Sequence, residues 1–167
     1  PGVEVQIHNP DAQGIGEVIA RGPNVMRGYF GNDAATNAVL DADGWLHTGD
    51  IGHFDVDGYL YVTDRVKELI KFKGFQVAPA ELEATLLTHP AVADVAVIGV
   101  PDESAGEVPM AFVVPSGDTP PTLVALQEFL GSLLSSYKQI RRLEVVTEIP
   151  KAASGKILRR VLRDQVA

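Results

Sequence analysis

The chain has no cysteine among its 167 residues. Disulfides, thiolate catalysis and cysteine-ligated metals are thereby excluded, and the absence fits a reducing compartment. Positive charge is scarce as well, with 14 Lys and Arg against 22 Asp and Glu and a net charge of −8. Aromatics make up only 7% of residues, and no stacking set accompanies the basic ones. Nonspecific nucleic-acid binding is therefore a poor fit, and no nucleic-acid partner is expected. No apolar run approaches the length of a membrane span, and the N-terminus lacks a basic stretch followed by an apolar one. A soluble, cytoplasmic chain is the expectation. Hydrophobic residues reach 46%, enough for a packed core and too many for a disordered chain.

The charge is unevenly placed. Residues 1–64 hold two basic residues, Arg21 and Arg27, against ten acidic ones, whereas residues 65–167 hold twelve of each sign. A break of this size suggests two pieces with different tasks. In the second piece the basic residues sit at both ends, with Arg65, Lys67, Lys71 and Lys73 in one group and eight more between Lys138 and Arg163. The stretch from Glu81 to Glu128 has none. If the ends meet in space, they form a cationic surface.

Periodicity outlines the elements. Val3–Ile7 and Gly16–Arg21 read as short strands, and 32–40 as a short helix. Leu60–Val62 follows the turn signal Asp55-Val56-Asp57-Gly58, which predicts a hairpin. A second hairpin is expected from Lys67–Ile70 and Phe75–Val77 around Lys73-Gly74. Pro79 suits the first turn of a helix with Leu82, Leu86 and Leu87 on its apolar face. Val95–Val100 and Met110–Val114 read as buried strands, Leu123–Leu134 as an amphipathic helix, and Leu143–Val146 as a short strand. Ser154 is a candidate cap for a last helix whose far face carries Arg159, Arg160 and Arg163.

Four short motifs could carry chemistry. In His47-Thr48-Gly49-Asp50, the Thr-Gly-Asp turn can project a carboxylate from a tight loop, and a carboxylate can accept hydrogen bonds from vicinal hydroxyls. Asp64-Arg65 sits at the charge break. Lys71-Phe72-Lys73-Gly74-Phe75-Gln76 sets lysines beside a glycine turn that permits close backbone approach. Ser154-Gly155-Lys156 places an ammonium on a loop of small residues. Each also has an ordinary structural reading, since Gly-Asp turns are common and lysines on an exposed hairpin often only solvate it. Other patterns fail on spacing. Gly155-Lys156-Ile157 lacks the Ser/Thr of a phosphate-cradling P-loop. Asp55–Gly58 lacks the alternating ligands and the closing glutamate of a calcium loop, where Val66 stands instead. Gly14-Ile15-Gly16 lacks the third glycine of a dinucleotide fingerprint. His8, His47, His53 and His89 have no metal-ligand spacing, so no metal site is expected.

Taken in order, the motifs say more. Thr48-Gly49-Asp50, then Asp64-Arg65 with Lys67, Lys71 and the run Gly74–Glu83, then Gly155-Lys156-Ile157-Leu158-Arg159-Arg160 resembles the C-terminal part of adenylate-forming acyl-CoA synthetases. The form here is similar to 4-coumarate–CoA ligases and their fatty-acyl and luciferase-like relatives. The resemblance implies an α+β fold: residues 1–64 as the β-rich, incomplete end of a large N-terminal domain, and 65–167 as the small mobile C-terminal domain. It implies a two-step reaction in which acid and ATP give acyl-adenylate and pyrophosphate, and CoA then gives acyl-CoA and AMP.

Roles follow from the resemblance. Asp50 would hold the ribose hydroxyls of ATP or AMP, with Arg65 assisting at ribose and phosphate. Lys67 would be the hinge. Lys71 and Gln76 would face the site during thioester formation, and Gly74 would let the pantetheine arm of CoA pass close to the backbone. Lys156 would bridge the ATP phosphate and the substrate carboxylate during adenylation. The family's phosphate loop, its Mg2+-binding acidic motif and its acyl pocket have no counterpart here. The chain is therefore expected to be a fragment, inactive alone, whose partners are the missing N-terminal domain and a small-molecule carboxylic acid. Two alternatives stand beside this: a non-catalytic nucleotide- or CoA-binding module, and part of a luciferase-like or carrier-protein-loading enzyme.

Overall fold

The computed structural model describes residues 2–166. The chain divides into two compact units, one running up to Lys67 and the other starting at Glu68.

The first unit is an antiparallel meander of β1 (Glu4–His8), β2 (Gly16–Arg21), β3 (Leu46–Phe54) and β4 (Leu60–Arg65), paired in chain order. Helix α1 (Asp33–Asn37) lies between β2 and β3 and is capped by Asn32, whose side chain accepts from the Ala35 amide. The expected β3–β4 hairpin forms across the Asp55–Gly58 turn. The motif at Thr48–Asp50 departs from expectation. It lies within β3, not in a tight loop, and the register across it is irregular. The buried apolar side chains of this unit are few, namely Val18, Ile19 and Trp45, while Val56, Tyr59, Tyr61 and Val62 are exposed.

The second unit is built on a mixed sheet. Strands β5 (Ile70–Phe72) and β6 (Phe75–Val77) form a hairpin, and β7 (Val92–Asp102) and β8 (Gly106–Pro115) form a longer one. Strand β5 joins β8 through Phe72 and Gly106. Helix α3 (Leu123–Leu133) returns the chain so that β9 (Arg142–Val145) runs parallel to β8, as a helical crossover allows. Helices α2 (Pro79–Leu86) and α4 (Arg159–Val166) both contact β7, and α2 also contacts α3. Val95, Ala96, Val97 and Ile98 are consecutive and buried, as are Ala111, Phe112 and Val113. An unbroken buried run means that the central strands are covered on both faces, which erases the period-two alternation. Leu82, Leu86, Leu126, Leu130, Ile140 and Leu162 complete the core.

Two expectations along residues 66–159 are corrected. Lys67 lies in a single 3-10 turn, Val66–Glu68, outside the hairpin strand. Ser154 does not cap the last helix, which begins at Arg159. The intervening residues form a loop closed by the Lys151–Ile157 bridge. In the second unit, acidic residues meet many of the basic side chains. Arg159 donates to both oxygens of Glu83 at 2.8 Å, and Arg163 to Glu68 at 2.6 Å. Lys138 pairs with Glu81 and Lys151 with Asp94. The base-free middle of the sequence thus supplies carboxylates for the ends.

Glu83 is almost fully buried, and its Oε1 also accepts the Val97 amide of β7 at 2.7 Å. Removing one partner of a buried pair leaves the other charge uncompensated. Glu83→Ala is therefore expected to cost ~3–5 kcal/mol, whereas Arg160→Ala, at a fully exposed i,i+4 pair, should cost under ~0.5 kcal/mol. Urea denaturation of both variants checks this, and equal midpoints would contradict it. A second expectation concerns the β7–β8 turn. The Ser104 hydroxyl, with the Ser104 and Ala105 amides and the Arg142 charge, holds the Asp102 carboxyl below the ordinary aspartate value. Because the folded value is depressed, the stabilisation is complete above the unfolded value and disappears as pH falls through the folded one. An NMR titration should find the Asp102 midpoint below that of an exposed aspartate and see it rise in Ser104→Ala. An unchanged midpoint in that variant would assign the effect elsewhere.

Candidate functional site

The candidate residues lie on both units, and each set is described within its own unit.

In the first unit, Asp50 and Arg65 face each other across β3 and β4 as register partners. Arg65 Nε donates to Asp50 Oδ1 at 2.8 Å. The Asp50 side chain keeps about a third of its surface exposed. A carboxylate has roughly four lone-pair positions, so one bond to Arg65 leaves acceptor capacity for vicinal hydroxyls. The approach of Asp50 is shaped by a bulge. Between the pairs Glu17–Ile51 and Ile19–His47, β2 contributes one residue, Val18, and β3 contributes three, Thr48, Gly49 and Asp50. Gly49 has φ +72°, a left-handed conformation that costs glycine little. The Thr48 hydroxyl donates to the Val18 carbonyl at 2.6 Å and accepts the Asp50 amide at 3.1 Å. Glu17 accepts the Gly49 amide on one oxygen, at 3.1 Å, and lies 2.8 Å from His47 Nδ1 with the other. An ionised carboxylate only accepts, so His47 Nδ1 carries the hydrogen.

Glu17 does not stand out in the sequence as a partner of this motif, which His47 opens. The available signal was a charged residue inside an otherwise apolar short strand, Gly16-Glu17-Val18-Ile19-Ala20. Its partner lies thirty residues downstream, and only strand register shows the match.

In the second unit, Lys71 and Gln76 are register partners across β5 and β6, and both are exposed. Their neighbours Ile70 and Val77 are fully buried. Alternation along the strands thus sends the apolar pair inward and the polar pair outward. The connecting turn has φ +49° at Lys73 and +84° at Gly74, the two positive values of a type I′ hairpin turn. A side chain at Gly74 would stand in open space, so the backbone there is accessible. The hairpin is fixed from behind. The Lys73 amide donates to the Ala105 carbonyl at 2.9 Å, and the Lys71 amide to Glu107 Oε2 at 2.8 Å.

Lys156 lies on the loop between Pro150 and Leu158. The Ala152 amide donates to the Lys156 carbonyl at 2.9 Å, the Gly155 amide to Ala152 at 2.8 Å and the Leu158 amide to Pro150 at 2.8 Å. Gly155 takes φ +82°. The lysine therefore sits on a closed, hydrogen-bonded tip and is exposed. Arg159, three residues on, is anchored to Glu83. Among the described residues, the ammonium groups of Lys67, Lys71 and Lys156 pair with no carboxylate, whereas Lys138, Lys151, Arg142, Arg159 and Arg163 all do. Also among the described residues, no group of three His, Asp or Glu side chains could hold a metal ion, and no helix is long and apolar enough to cross a membrane.

Comparison with known proteins places this geometry. Residues 81–156 match the family model described as the AMP-binding enzyme C-terminal domain. A 4-coumarate–CoA ligase of Narcissus pseudonarcissus is 55% identical over 152 residues, covering 91% of this chain and 27% of that protein. The ATP-bound MatB of Rhodopseudomonas palustris superposes with a TM-score of 0.88 at 31% identity, over 99% of this chain and 34% of that one. The o-succinylbenzoate CoA synthetase of Bacillus subtilis, in complex with an acyl-adenylate intermediate, gives a TM-score of 0.81 at 38% identity, over 98% and 34%. The chain spans between a quarter and about a third of the length of these three proteins.

Proposed function

We propose, from the premise that this chain belongs to the adenylate-forming acyl-CoA synthetases and carries their AMP-binding C-terminal domain, that it supplies the C-terminal part of an ATP-dependent acid–CoA ligase, with its second unit as the mobile domain. The reaction joins a carboxylic acid to ATP, releasing pyrophosphate and forming an acyl-adenylate. The CoA thiol then attacks the acyl carbonyl and expels AMP. The relatives named for 4-coumarate make a phenylpropanoid acid the first substrate to test, with fatty acids next.

One observation carries the reading. Lys71, on a braced hairpin strand, and Lys156, on a braced loop, present ammonium groups that pair with no carboxylate among the described residues, as do Lys67 and Lys73, while Lys138, Lys151, Arg159 and Arg163 are held in ion pairs. Adenylation brings a carboxylate against a polyphosphate, and a lysine on an accessible tip can sit between the two anions. Lys156 takes that role. The Lys71–Gln76 pair serves the thioester step, and Gly74 gives the pantetheine arm an open backbone surface. Asp50 accepts from the ribose hydroxyls, with Arg65 bonded to its other face and available to the phosphate. Lys67 is the hinge on which the second unit turns between steps, a role supported by the unit boundary that falls directly after it. The exposed apolar side chains and thin core of the first unit support its being completed by a further N-terminal domain, the chain's partner in this reading. The residues described here do not fit a Mg2+ site, so the ligands of that ion are assigned to that domain.

On this reading the chain alone gives no acyl-CoA from ATP, CoA and a panel of carboxylic acids, and turnover without an added domain would overturn the proposal. In the complete ligase, Lys156→Ala should lower adenylation by ~10²-fold or more while sparing thioester formation from supplied acyl-adenylate. Lys71→Ala should do the reverse. Equal losses in both half-reactions for either variant would refute the division of labour.

A further inference from the structure

We infer that Glu17 is a positioning residue for Asp50, holding the Thr48–Asp50 bulge in the one conformation that presents the carboxylate. The proposal rests on the reading of Asp50 as the ribose-binding group. Three residues of β3 stand opposite one residue of β2 at this point. On the β2 side such an insertion has no ladder partners for its extra amides, so there its shape is set by side chains, while Asp50 keeps its pairing with Arg65 of β4. Glu17 meets this need with both oxygens, taking the Gly49 amide on Oε1 and His47 Nδ1 on Oε2. It thus grips the segment on both sides of Thr48. The Thr48 hydroxyl adds the link to Val18 behind and to the Asp50 amide ahead. Glu17 is about four-fifths buried, so its carboxylate is held in place and its acceptors are not shared freely with solvent. Asp50 is the first residue after this clamp and the one that meets Arg65. His8, whose ring packs edge-on against His47 at 5.0 Å, closes the outer side.

Glutamine tests the clamp because it keeps the shape of glutamate but has one acceptor oxygen in place of two. In Glu17→Gln, either the Gly49 amide loses its acceptor or His47 must change tautomer so that Nδ1 accepts from the new NH2. NMR of the chain should then show a shifted Gly49 amide or a change of tautomer at His47, with folding retained. In the complete ligase, pyrophosphate exchange should show the KM for ATP raised about tenfold, from one buried donor left unsatisfied, with kcat changed much less. On an Asp50→Asn background, Glu17→Gln should raise KM no further, because it acts through Asp50. Additive losses would reduce Glu17 to general stability and overturn the proposal, as would unchanged Gly49 and His47 signals. If Asp50→Asn alone leaves KM unaltered, the ribose assignment falls instead, and the Gly49 and His47 signals decide the clamp separately. Should Glu17→Gln unfold at assay temperature, Thr48→Val removes the adjoining bonds to Val18 and Asp50, and the same KM effect and non-additivity are expected.

Discussion

The contact between Arg159 and Glu83 holds the second unit together. It joins residues 76 positions apart, and it is nearly dry at both ends. Through Oε1, Glu83 also binds the backbone of β7, so one carboxylate connects α2, α4 and the central sheet. Burying two charges is costly unless each finds its full set of partners. Here the cost is offset in part by the bonds from Arg159 Nη2 to both Glu83 oxygens and by the Val97 amide, while the buried Arg159 Nε has no hydrogen-bond partner among the described residues. The consequence for function is positional. Helix α4 begins at the anchored arginine, and the Lys156 loop ends immediately before it. An exposed ammonium is thereby mounted on a fixed base.

The same logic recurs at the other candidate groups. The Lys71–Gln76 hairpin is only three residues per strand, too short to be stable alone. It is held by Ile70 and Val77 in the core and by the amide bonds to Ala105 and Glu107. Asp50 is held by a bulge that Glu17 and Thr48 brace. In each case a small polar group at the surface depends on a buried or half-buried partner distant in sequence. Each group is thereby held already oriented.

Much of the fold was legible from periodicity. Val3–Ile7 alternates and falls on β1, Pro79 opens α2, and the leucines of 123–133 define α3. What misled was local chemistry taken without its surroundings. Ser154 has the right side chain for a cap, yet the Lys151–Ile157 bridge claims those residues for a loop. Arg159 and Arg163 carry charges that suggested an outward cationic face, yet Glu83 and Glu68 draw them inward. Thr48-Gly49-Asp50 has the composition of a turn, yet strand pairing on both sides keeps it in a sheet as a bulge.

The amino-acid sequence by itself determined the kinds of element, the order of the candidate motifs and the family they resemble. These depend on residues close together along the chain, where spacing translates directly into helix, strand or turn. Tertiary structure decided which charges are free and which are consumed, because pairing depends on partners brought close only by the packed sheet. It separated Lys71 and Lys156, left without carboxylates, from Arg159 and Arg163, which are locked to them. It also brought Glu17 to the bulge before Asp50, a meeting set by strand register and therefore invisible to any reading along the chain.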